Sequence, residues 1–130
     1  MSEPLVFVTT HAVGDGAREQ IERLAEAFAD DVASQDTGLL EFHFHMDQDG
    51  REASNVQVHA DAASMDAYLP LVRERIVRAL ALSRTLSIEV FGTPGPVLRE
   101  VLDHNRQQGV RVTVMPRRLA GFSRRLATAA

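Results

Sequence analysis

At 130 residues the chain is one domain, long enough to bury a core, and its 45% hydrophobic and 25% charged content is that of a soluble globular protein. A formal charge of −4 favours neither a nucleic-acid binder nor a membrane-surface protein. The absence of cysteine excludes disulfides, thiolate nucleophiles and zinc–thiolate sites.

The opening MSEPLVFVTTHAV lacks the basic n-region and long apolar run of a signal peptide, and no segment approaches the roughly 18 apolar residues of a membrane span. The expectation is a cytoplasmic domain. Residues 5–13, rich in β-branched side chains and closed by Gly14-Asp15-Gly16, read as a strand. Asp15 is placed to cap a helix over 16–34, whose stripe is Ile21, Leu24, Ala25, Phe28 and Val32. Asp36-Thr37-Gly38 breaks it. Residues 39–46 alternate, with Leu40, Phe42, Phe44 and Met46 on one face and Leu39, Glu41, His43 and His45 on the other.

A second strand, 53–59, sets Val56 and Val58 against Asn55, Gln57 and His59. Keeping apolar faces together predicts a three-residue loop, Gln48-Asp49-Gly50, with Phe42 opposite Val56 and His43 opposite Asn55. Asp61 can cap the next helix, with Met65, Tyr68 and Leu69 inward, and Pro70 kinks or breaks it before a second piece carrying Val72, Ile76, Val77 and Leu80. Residues 85–91 form a fourth strand, with Leu86, Ile88 and Val90 on one face and Ser87, Glu89 and Phe91 on the other. A helix over 96–108, a strand over 110–114 and a tail with Arg117, Arg118, Phe122, Arg124 and Arg125 follow. The order over 5–91 is β-α-β-β-α-β: an α+β, ferredoxin-like antiparallel sheet with both helices on one face. Residues 1–92 form this unit, and 93–130 form a helix–strand extension with a basic tail, part of the same domain or docked on a partner subunit.

The segments TGLLEFHFHMD and VQVHADAASMDAYL are similar in order and spacing to parts of the antibiotic-biosynthesis-monooxygenase-like domain of the dimeric α+β barrel superfamily. The resemblance covers about residues 5–91. It implies a homodimer closed through the sheet face, a pocket between sheet and helices, and oxidation of polycyclic aromatics or quinols without metal or flavin, or haem degradation. The family's strand-one Asn, strand-three Trp and helix-two His fall here on Thr9, His59 and Tyr68. None is the family residue, and the missing axial His weighs against haem degradation.

Grouped by alternation, Glu41, His43, His45, Asn55, Gln57, His59, Ser87 and Glu89 share the face away from the helices. Three readings fit: a polar barrel interior satisfied by water and mutual hydrogen bonds, a metal site, or acid–base and polar substrate binding by imidazole. The metal signal is weak, because His43 and His45 need a third ligand from another strand, and no metal or cofactor is assigned. His11 reads as a solvated histidine beside a turn. His104 reads as exposed, and Tyr68 as a core residue with a hydrogen-bonded tip. The expected function is a cofactor-independent monooxygenase-like protein acting on or binding a small aromatic or quinol-type molecule. His59, Tyr68 and Thr9 are its catalytic candidates, and His43, His45, Glu41, Gln57 and Asn55 its ligand-binding candidates. The alternative is a non-catalytic ligand-binding or assembly protein of the same fold. Nucleic-acid and membrane partners are not expected.

Overall fold

The structure is a computed structural model that describes residues 3–35 and 38–124. Asp36 and Thr37 of the expected helix break, and Arg125 of the tail, lie outside the described residues. The chain runs β1 (Leu5–Val13), α1 (Arg18–Ala33), β2 (Leu39–Met46), β3 (Glu52–His59), α2 (Ala62–Leu71), α3 (Arg73–Leu82), β4 (Ser83–Phe91), α4 (Pro96–Gln107) and β5 (Arg111–Met115). The strands form one sheet in the order β2-β3-β1-β4-β5. The first four pair antiparallel, and β5 adds parallel to β4.

Among the described residues, the larger of two buried apolar clusters sits between sheet and helices. Leu5, Phe7, Ile88 and Val90 from the sheet meet Phe28 and Val32 of α1, Met65, Tyr68 and Leu69 of α2, and Leu98 and Leu102 of α4. Phe28 stacks on Phe42 with ring centroids 5.2 Å apart, fixing α1 over β2. Arg75 of α3 is ion-paired to Asp31 of α1. The α1 N-cap is Ala17, not Asp15, and no side chain caps it. Asp61 does cap α2, accepting from the Ser64 amide at 2.8 Å. Pro70 is accommodated one residue before the end of α2, and the break falls at Val72. The extension is fixed by Asp66 of α2, whose carboxylate accepts from the Leu98 amide at 2.9 Å in the first turn of α4.

The β2–β3 register differs from expectation. Phe42 pairs with Gln57, His43 with Val56, and Phe44 with Asn55. Asp47 and Glu52 close the hairpin, and Asp47 Oδ1 accepts from the Arg51 and Glu52 amides at 2.8 and 3.1 Å. The side chain thereby takes up amides that a shorter loop would have aligned differently, while Gly50 supplies the left-handed turn residue at φ 71°.

The expectation failed because β3 buries its polar face. Ala53, Asn55, Gln57 and His59 point to the helices, and Val56 and Val58 point away from them. A bulge between Leu39 and Glu41 also reverses the expected order there: Leu39 packs on the core and Leu40 is exposed. On the outer face Val6 pairs with Val58 and Val8 with Val56, making a half-buried valine patch.

Candidate functional site

The buried face of β3 carries a hydrogen-bonded chain whose direction is set at one end. The His43 carbonyl can only accept, and Asn55 Nδ2 donates to it at 3.1 Å. Asn55 Oδ1 is thereby turned to Gln57, so Gln57 presents its Nε2 there as donor. The same Nε2 donates to the Tyr68 hydroxyl at 3.2 Å. Gln57 Oε1 then faces His59 Nε2 at 2.9 Å, so that nitrogen carries the imidazole proton. His59 Nδ1 is left as acceptor, 3.4 Å from Ser64 Oγ. Burial pushes the His59 pKa down to about 4, opposed by the charge of Asp61, so the ring is neutral near pH 7. Because Tyr68 accepts from Gln57, its own proton is free to be given to something else. Burial raises its pKa, which keeps that proton on the oxygen.

A second polar array lies across the sheet on β1 and β4. His11 Nε2 is 3.1 Å from Thr9 Oγ1, and His11 Nδ1 is 3.2 Å from Thr85 Oγ1. A bulge makes this possible. The β1–β4 register shifts between Thr10 and His11, so His11 pairs with Thr85 rather than Leu86. The same shift separates Leu86 from the core face that Ile88 and Val90 keep. His11 is half-buried, not solvated, and burial holds its pKa below the ordinary value.

Both arrays face one cavity of about 140 Å³. Its walls are chiefly apolar, with Phe7, Ile21, Leu24, Phe28, Phe44 and Ile88 among them. Its polar groups are Thr9, His11, Asn55, Gln57, Tyr68, Ser83, Thr85 and Asn105. A cavity of about 150 Å³ accommodates benzene, so this one has room for a single aromatic ring. Val101 and Asn105 of α4 line it too, so the extension forms part of the wall.

The predicted residues therefore divide between two faces. Thr9, Asn55, Gln57, His59 and Tyr68 come together between sheet and helices, with His59 behind Gln57 and packed edge-on against the Tyr68 ring at 5.2 Å. Glu41, His43 and His45 lie on the outer face, where His43 Nε2 sits 3.2 Å from Glu41. The two sets form no single site. No group of three or more His, Asp or Glu side chains able to hold a metal occurs among the described residues. No described helix is long and apolar enough to cross a membrane. His11, Thr85 and Asn105 were missed as site residues. For His11 the signal was present: it continues the Leu5, Phe7, Thr9 alternation.

No protein-family model matches the chain, and no curated protein sequence matches it. Solved structures do. MupZ from Pseudomonas fluorescens superposes with a TM-score of 0.74 at 17% identity, over 98% of this chain and 100% of MupZ. A match this wide takes in α4 and β5. SnoaB, a cofactor-independent oxygenase from Streptomyces nogalater, gives a TM-score of 0.61 at 20% identity over 74% of this chain and 98% of its own. A candidate antibiotic biosynthesis monooxygenase from Deinococcus radiodurans gives 0.60 at 16% identity over 70% and 93%. The chain has the ferredoxin-like α+β fold of the antibiotic-biosynthesis-monooxygenase-like domains, the fold named for the dimeric α+β barrel.

Proposed function

We propose that this protein binds a single-ring phenol or quinol between sheet and helices and promotes its oxidation by dioxygen without a cofactor. The observation that carries the reading is the Tyr68 hydroxyl, held by Gln57 so that its proton is available beside an apolar cavity of one-ring size. A ligand oxygen accepts from Tyr68. The ligand's own proton passes through the Thr9 hydroxyl to His11, which burial keeps neutral and ready to accept. The electron-rich anion then meets dioxygen. A quinol oxidised to its quinone gives up two electrons and two protons, which reduce dioxygen to hydrogen peroxide. Oxygenation of a phenol to the quinone instead consumes one dioxygen and releases one water. The fold shared with a cofactor-independent oxygenase supports this reading.

Oxygen-electrode traces with phenol and hydroquinone, with and without catalase, test it. Protein-dependent uptake is expected, reduced at least tenfold in His11→Ala, and catalase identifies any peroxide by returning oxygen. Binding without uptake would leave a non-catalytic ligand-binding protein, a reading favoured by the mutual satisfaction of Asn55, Gln57 and His59.

The homodimer expected from the sheet face belongs to the same proposal. It would cover the valine patch of Val6, Val8, Val56 and Val58. Sedimentation should give a dimer for the wild type and a monomer for Val56→Glu. A wild type that is monomeric at micromolar concentration would contradict it.

A further inference from the structure

An open groove of about 910 Å³ lies between α3, β4 and α4. Leu80, Ser83, Thr85, Val101 and Asn105 line both this groove and the inner cavity, so the two spaces adjoin. Thr85 is the joint between them, since its hydroxyl also holds His11. The groove carries apolar surface that no described residue covers: Val77, Leu80 and Val97 are 62%, 50% and 38% exposed. Its charged and titratable lining is Arg73 and Arg84, with Glu100 and His104 on α4. Arg73 and Arg84 make no ion pair among the described residues, whose pairs use Arg18, His43, Arg75 and Arg106. Two arginines against one carboxylate leave the groove positive on a chain of formal charge −4.

We propose that the groove is the second half of the same site and takes the chain of an elongated, amphiphilic substrate. The aryl head sits in the inner cavity, an apolar stem lies against Leu80, Val97 and Val101, and an anionic end meets Arg73 and Arg84. This rests on the reading of the inner cavity as a phenol site. It also gives α4 a role: the extension supplies one wall of the subsite, and with it selectivity for long substrates.

The test is calorimetric titration of phenol, a series of 4-alkylphenols and the 4-hydroxyphenylalkanoates of matching length. Affinity should rise about twofold per methylene, roughly half the logarithmic gain of a fully buried methylene because the groove is open. Carboxylate-ended members should bind about tenfold tighter than methyl-ended ones once long enough to reach the arginines, a gain of ~1.4 kcal/mol. Charge reversal in the Arg73→Glu, Arg84→Glu double variant should abolish that gain and leave phenol binding unchanged. Phenol binding with no effect of chain length would overturn the groove as a subsite and leave the cavity reading standing. A chain-length effect without carboxylate preference would overturn the anionic substrate class. Failure of phenol and every longer probe to bind would overturn both readings.

Discussion

The carboxamide of Asn55 donates to the main-chain carbonyl of His43 across 3.1 Å, from the middle of β3 to its neighbour β2. That bond orients every polar group behind it. It turns Asn55 Oδ1 toward Gln57, Gln57 Oε1 toward His59, and the free proton of Tyr68 away from Gln57. The buried amides thus have an architectural role, and removing one has a calculable cost.

Gln57→Leu leaves the His59 N–H and the Asn55 carbonyl oxygen without their partner in a buried site. Each orphaned group costs about 1–3 kcal/mol, so the variant should lose about 3 kcal/mol of stability in urea unfolding. Tyr68→Phe leaves the Asn55 and His59 bonds to Gln57 in place and should lose about 1 kcal/mol. Equal losses from the two substitutions would contradict the chain as described.

His59 makes stability depend on pH. Its folded-state pKa is about 4 against 6.5 for the free side chain. Above pH 6.5 neither state binds the proton. As pH falls from 6.5 toward 4 the unfolded chain takes it up and the folded chain does not, so stability falls, by about 3 kcal/mol in all, and levels off below. His11, whose pKa is also lowered by burial, adds a loss of the same sign. Urea midpoints measured across this range should show the decline in the wild type and a shallower one in His59→Asn.

The seam between α2 and α4 is a local electrostatic contact. Asp66 takes the first-turn amide of Leu98 at 2.9 Å, and Gly95 permits the approach because a Cβ there would fall on the Asp66 carboxylate. Asp66→Ala should cost about 1 kcal/mol as a lost cap. Gly95→Ala should cost at least as much alone and much less in the Asp66→Ala background, where the clashing group is gone. Additive losses in the double variant would show that Gly95 is required for another reason.

Much of this fold was legible because alternation and helical stripes are strong where burial follows polarity. The Phe28 and Val32 stripe, the Asp61 cap and the inward Met65, Tyr68 and Leu69 are cases of that kind. The hairpin faces were misread for a physical reason. Val56 and Val58 look like core residues, and Asn55 and Gln57 do not, unless the amides satisfy each other. The discriminating signal lay in charge: Asn55 and Gln57 are neutral and can be buried in mutual bonds, whereas Glu41 on β2 cannot be buried so cheaply. Thr85 and the cavity wall formed by Asn105 were not legible. One depends on a bulge and the other on a long-range packing of α4, neither of which leaves a local pattern.

The account stands on Tyr68 as the proton donor to a ring bound between sheet and helices. Calorimetric titration of phenol into the wild type and Tyr68→Phe tests this most directly. The prediction is saturable binding to the wild type, weakened about tenfold in the variant, the ~1.4 kcal/mol of one lost hydrogen bond in a buried site. Equal affinity in the two proteins, or no binding to the wild type, would contradict it.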